Sequence, residues 1–256
     1  MKRHVKVSVV LLGAVATIVV VIATNVARMH QQVRGLEVEI YYGKTPQLVS
    51  QQAVADTITA QLPHLMRLQV RDVDLADIEQ AAAHIKSIAN IDATVSVSGK
   101  VVVRADQRRP IGRLFINGSE CYFDRQGKLF PTSTQADCKT LVVNGTFGCP
   151  TPESLTDSTA LPLQPVWHLA RYIDEHPNCA NLIDQVHRQQ DGNLMLTAKI
   201  GPVIELGDTS QLDQKFASLF TFYHKGMPRA GWQSYSKISL KYHNQVVCTK
   251  WPQGAR

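Results

Sequence analysis

IDATVSVSGKVVVRADQRRPIGRLF, residues 91–115, is the stretch on which the fold turns. Ile91–Val97 and Lys100–Asp106 alternate apolar and polar residues, the period of a half-buried strand. Ser98-Gly99 between them reads as a tight hairpin turn. Pro110 marks a boundary, and RLFING begins a new strand beyond it.

Toward the N-terminus, the spacing predicts a helix starting at Asp74, with Asp77 at N3 and Ile78, Ala82, Ile85 and Ala89 along one face. Before it, Ser50 is a good N-cap for a helix carrying Val54, Ile58 and Leu62, which Pro63 ends. A turn spans Gly43–Pro46. Leu36, Val38 and Ile40 alternate with Glu37 and Glu39 as another strand, and residues 28–34 (RMHQQVR) read as a short polar tether. Strand, helix, helix, strand, strand in about 70 residues makes an α+β module, one sheet with two helices on one face.

Toward the C-terminus strands dominate. RLFING and ECYFDRQGKLFP read as a pair of strands, with Asp124–Gly127 as a turn, and TLVVNG is a further short strand. A polar, Pro-rich stretch covers 148–165, and a helix over Val166–Glu175 is closed by Pro177. LIDQVHRQQDGNLMLTAKIGPVIELG reads as three strands joined at Asp191-Gly192 and Gly201-Pro202. Leu212, Phe216, Leu219 and Tyr223 keep helical spacing, with Gly226 as the C′ stop. YSKISLKYHNQVV alternates and is expected to form one final strand.

Between Lys6 and Arg28 lie 21 residues without a charge. At about 1.5 Å per residue a helix of that length matches the roughly 30 Å hydrocarbon core. The rival is a cleaved signal peptide, whose apolar core should be shorter than Val7–Ala23. Lys2, Arg3 and Lys6 favour a cytoplasmic N-terminus. The expected fold class is therefore α+β: a cytoplasmic tail at 1–6, a single transmembrane signal anchor at 7–27, a tether and β-α-α-β-β module at 28–109, and a strand-rich β domain with a terminal edge strand at 110–256.

The chain has net charge +6. From Arg28 onward 24 Lys and Arg meet 21 Asp and Glu, with no run dense enough for nucleic acid. Five cysteines (Cys121, Cys138, Cys149, Cys179, Cys248) would face an oxidising compartment. Cys138 and Cys149 are the candidate disulfide by proximity; the alternative is that all five are small core residues. His176, Cys179 and His187 match no zinc spacing, so no metal is assigned. Asp74/Asp77 and Asp184/Asp191 are explained by a helix start and a turn. Asn117-Gly118-Ser119 and Asn144-Gly145-Thr146 match the glycosylation sequon and equally mark glycine turns. No hydrolase, zinc-protease, phosphate-loop or dinucleotide motif occurs. The chemistry points to binding rather than catalysis, with no cofactor and no small-molecule substrate.

Several stretches in order resemble the FtsQ/DivIB cell-division family, in the form of its Bacteroidetes-type members. ADQRRPIGRLF resembles the family's junction, where the last strand of a POTRA domain runs into a Q-R-x-P segment. CYFDRQGKLFP resembles its D-x-x-G-x-x-F hairpin, VIELG followed by LDQKFASLF its LG…K segment, and AGWQSYSKISLKYHNQVVCTK its terminal strand. Five cysteines depart from the family's common form. The resemblance implies a POTRA module, no enzymatic activity, and a divisome scaffold of the bacterial inner membrane. Its body would lie in the periplasm at the division septum, bind FtsB/FtsL-type single-span partners, and link early division proteins to septal peptidoglycan synthesis. It places the partner contact on the terminal strand, here Tyr235, Ile238, Leu240, Lys241, Tyr242, His243 and Val246. An edge strand offers unpaired backbone groups for β-addition; the competing reading is that the strand simply completes the sheet. Other readings of the whole chain are a POTRA-bearing envelope chaperone or translocation factor, an anchored periplasmic enzyme, or a eukaryotic type II glycoprotein.

Overall fold

The computed structural model describes residues 2–134, 136–148, 163–242 and 244–251, with side chains described from Val15 onward. The architecture is mixed α+β, with a three-stranded and a nine-stranded sheet. The chain divides into two units, Met1–Gln107 and Arg108–Arg256.

Unit 1 begins with helix α1 (Lys2–Met29). Val15, Ile18 to Ile22 and Val26 on it are all more than half exposed. Among the described residues no helix is long and apolar enough to cross a membrane. Strand β1 (Gly35–Tyr41) follows, then α2 (Gln51–Gln61), α3 (Leu75–Ala83), β2 (Ile88–Val95) and β3 (Lys100–Gln107). Two 3-10 turns, Leu65–Arg67 and Val70–Asp72, lie between the helices. The sheet order is β1-β3-β2, with β1 parallel and β2 antiparallel to β3. The caps form as read: Ser50 accepts from the Ala53 N–H and Asp74 from the Ala76 N–H. Val54, Ile58, Ile78, Ala81 and Ala82 pack on Val38, Ile40, Ala93, Val101 and Val103. The opposite face carries charge, Glu37 on Lys100 at 3.4 Å and Glu39 on Arg104 at 2.9 Å.

Three readings of this unit need correction. Residues 31–33 are not a free tether. The Val33 N–H donates to Leu68 O at 3.0 Å and the Val70 N–H to Gln31 O at 2.9 Å, because Val33 is apolar and buried in the core. Helix α3 stops at Ala83, and Ala89 is an exposed strand residue rather than part of its face. The hairpin loop spans Val97–Gly99, closed by the Ser96 N–H on Lys100 O at 2.8 Å, with Gly99 at φ +80.

Gln107 ends β3 and is buried. Its side-chain oxygen accepts from the N–H groups of Leu48 (2.6 Å) and Val49 (3.3 Å), and its amide donates to Thr45 Oγ1 and Pro46 O, each at 2.9 Å. It pins the loop between β1 and α2.

Unit 2 holds β4 (Pro110–Ile116), β5 (Ser119–Asp124), β6 (Leu129–Pro131), β7 (Leu141–Gly145), α4 (Gln164–Glu175), α5 (Pro177–Leu182), β8 (Ile183–Arg188), β9 (Leu194–Ala198), β10 (Val203–Gly207), α6 (Leu212–Lys225), α7 (Met227–Ala230), β11 (Tyr235–Ser239) and β12 (Val247–Lys250). The sheet order is β12-β11-β10-β9-β8-β7-β4-β5-β6. One core joins it to the helices, with Leu169, Ile173, Phe216 and Leu219 against Leu114, Val143, Val186, Leu196 and Ile204. Asn117-Gly118 is the β4–β5 turn, both residues at positive φ (49 and 85), as a two-residue turn matched to strand twist requires. Pro177 does not merely close α4; it opens α5. Gly226 is right-handed at φ −88, and α7 follows it. The left-handed stop is Gly231, at φ +88. Most of the Pro-rich stretch, and Cys149 of the candidate Cys138–Cys149 pair, lie outside the described residues.

Asp124 is buried at the end of β5. Its Oδ1 accepts from the N–H groups of Gln126 and Lys128, both at 2.9 Å, and its Oδ2 from Arg108 Nη1 at 2.6 Å. It shapes the β5–β6 turn and ties it to the start of the unit. Removing one partner of a buried, hydrogen-bonded ion pair strands the other. Asp124→Ala is expected to destabilise the chain by about 3 kcal/mol in urea unfolding, and Asp124→Asn by less.

Candidate functional site at the terminal sheet edge

The nine-stranded sheet has two ends, and they differ. β6 is three residues long and finishes at Pro131, which has no N–H to offer. At the other end β11 lies between β10, to which it is parallel, and β12, to which it is antiparallel. Among the described residues β12 pairs with β11 alone, so its outer N–H and C=O groups face away from the sheet.

The last segment is therefore two strands and not one. The alternation of residues 235–247 runs through a chain reversal. Leu240 still donates its N–H to Glu205 O at 2.8 Å, and the chain then turns through Asn244 at φ 55, with the Gln245 N–H on Tyr242 O. Asn is among the few residues that tolerate this left-handed conformation. The adjacent Val246-Val247 break in the alternation is the sequence signal for the second strand.

This divides the residues expected at the site. Ile238 is fully buried and Leu240 is 2% exposed, so both are core side chains and cannot meet a partner directly. Tyr235 is half-buried on β11, its ring 5.9 Å from that of Phe222. Val246 packs against the core. Lys241 lies in the reversal, its stem against Gly207, whose hydrogen leaves the room a Cβ would fill. Tyr242 is 58% exposed. His243 lies outside the described residues. The strand residues that the expected set omits are Val247, Cys248, Thr249 and Lys250, followed by the exposed Trp251.

Beside β12, α6 and Val246 form a groove of about 460 Å³ lined by Ala217, Thr221, Phe222, Lys225 and Gly226. Gly226 permits it: a Cβ there would sit 2.6 Å from the Phe222 ring. The electrostatics are lopsided. Residues 212–256 hold seven Lys and Arg and a single acidic residue, Asp213, whereas residues 1–211 hold 20 of each sign. The whole +6 of the protein thus belongs to the segment that builds this edge.

Inward of the edge, Glu205 on β10 meets Lys237 Nζ at 3.1 Å and Lys241 Nζ at 3.7 Å. Burial works against its ionisation, but hydrogen bonds from Lys237 and Ser239 together with the charge of the two lysines outweigh it and hold the carboxyl below its ordinary value. Near the start of α6, Lys215 Nζ donates to Asp208 Oδ1 at 2.7 Å, and with Ser210 it lowers that carboxyl to about 2. His176, Cys179 and His187 are not among any group of three His, Cys, Asp or Glu placed to hold a metal among the described residues. His176 Nδ1 is 2.7 Å from Tyr172 O, Cys179 is buried in α5, and His187 Nδ1 is 2.8 Å from Asn144 Oδ1.

A carboxyl depressed by folding stabilises above its unfolded value, near 4.3 for Glu, and loses that contribution as pH falls through the folded value. Lys237→Ala is expected to raise the Glu205 pKa toward the ordinary range, read by NMR titration. It should also shift the acid-unfolding midpoint to higher pH.

A family model described as "FtsQ/DivIB, C-terminal related" matches residues 109–249, from the first strand of unit 2 through β12. No curated protein matches the chain. The match takes in the two-ended sheet, its helices and the basic terminal edge, and the chain belongs to the FtsQ/DivIB family of cell-division proteins.

Proposed function

We propose that this chain is a non-enzymatic scaffold of the division machinery, one that takes a strand of an FtsB/FtsL-type partner onto β12. The family gives the role in cell division. The observation that carries the partner reading is the contrast between the two sheet ends: β6 is short and proline-terminated, while β12 is unpaired along its outer side. Added strands gain affinity from main-chain hydrogen bonds and specificity from flanking side chains. Here the flanking features are exposed Tyr242, Val247 and Trp251, the Phe222 groove, and lysines at 225, 237, 241 and 250. A segment with apolar anchors and acidic side chains suits them.

In this reading α1 is the inner-membrane anchor. Its 28 residues would reach about 42 Å, and the side chains described on its apolar stretch are exposed. Residues 1–6 would lie in the cytoplasm and residues from 28 on in the periplasm, at the septum. Unit 1 is read as the POTRA module, which its strand-helix-helix-strand-strand order supports.

Removing residues 247–256 deletes β12 and leaves Ile238 and Leu240 in the core, so the fold should persist. Co-purification of the FtsB/FtsL-type partner should be lost, and Tyr242→Ala should weaken it. Binding to the intact chain should fall several-fold from low to high salt. Undiminished co-purification by the truncated chain overturns the reading. A fluorescent protein fused to the N-terminus should form a mid-cell band before constriction; uniform peripheral signal throughout the cycle would count equally against it.

A further inference from the structure

The small sheet of unit 1 also has an edge that must be dealt with. Among the described residues β2 pairs with β3 alone. In an antiparallel pair, alternate residues of the outer strand turn their N–H and C=O away from the partner. Ala93 is one of them: its N–H donates to Oε1 of Glu79, on α3, at 3.0 Å. By the same alternation Ile91 and Val95 share that rim.

The position of Glu79 is fixed by packing. Ile78 just before it is fully buried, and Ala81 and Ala82 just after it lie in the same core as the Ala93 side chain. The carboxylate is therefore held over the strand by the buried face of its helix. The helix itself asks for no carboxylate here, since Glu79 is the fifth residue of nine and outside the capping turn. Nor is it engaged elsewhere: among the described residues, the ion pairs of unit 1 are Arg71–Asp72, Lys100–Glu37 and Arg104–Glu39.

We infer that Glu79 is an edge guard, its carboxylate occupying the middle of the β2 rim and closing it to strand addition by a second copy of this chain. Charged groups placed against an edge are a known means of preventing edge-to-edge pairing. An incoming β2 would have to displace a charge-assisted hydrogen bond to reach the Ala93 N–H.

The test uses the full chain in detergent. In the wild type, the Ala93 amide should exchange with solvent at least tenfold more slowly than those of Ile91 and Val95; equal rates overturn the inference without need of any variant. Glu79→Ala should speed Ala93 exchange to match its neighbours and add a concentration-dependent dimer in sedimentation velocity. Glu79→Gln keeps an acceptor oxygen but not the charge, and should fall between Glu79→Ala and the wild type in both Ala93 exchange and dimer content. The added dimer should survive removal of residues 247–256, which separates this edge from β12. A Glu79→Ala chain with wild-type circular dichroism and wild-type sedimentation overturns the guard, as does a dimer that vanishes with β12.

Discussion

Every strand at the end of a sheet leaves half of its backbone N–H and C=O groups without a neighbour, and buried or crowded groups of this kind are costly to leave unmade. Three of the sheet ends in this protein answer that constraint in different ways. β6 is cut to three residues with a proline at its end. β2 has its central N–H taken by the Glu79 carboxylate. β12 is also short, at four residues, but it has no proline within it and, among the described residues, no carboxylate on its rim, and around it the sheet gathers apolar side chains and the protein's excess positive charge. An edge left open where others are closed is the physical basis for reading it as a docking strand.

A second constraint lies where the two units meet in sequence. Gln107 and Arg108 are covalent neighbours, yet their side chains serve different units. Gln107 satisfies four backbone and hydroxyl groups in the loop after β1, and Arg108 satisfies the buried carboxylate of Asp124. Each of the two neighbours is thus held within its own unit. This gives a structural reason for polar residues at a position that short-range pattern alone reads only as a boundary.

The charge distribution bears on function more than the total does. A net charge of +6 with nearly balanced residues after the N-terminal stretch argues against nucleic acid. It also hides a segregation: 1–211 is neutral and 212–256 carries the whole excess. Glu205 and Asp208, which precede that segment, take up three of its lysines, Lys215, Lys237 and Lys241. Lys250 lies on β12 itself.

The residues by themselves determined most of the local structure. Alternation marked β1, β2 and β3, Ser50 and Asp74 marked helix starts, and the spacing of Leu212, Phe216, Leu219 and Tyr223 marked the buried face of α6, because these are short-range consequences of side-chain period and capping. Tertiary structure decided what short-range pattern cannot encode. Residues 235–247 read as one strand from their alternation through Ile238, Leu240 and Tyr242, yet residues 235–250 form two, since only the position of β10 shows where pairing ends and the chain must reverse. The same placement buried Ile238 and Leu240 and exposed Tyr242, though all three share one parity in sequence. Likewise Glu79 reads as an ordinary helix carboxylate until α3 is laid across β2, because which backbone groups a sheet leaves unpaired is settled only when its strand order is complete.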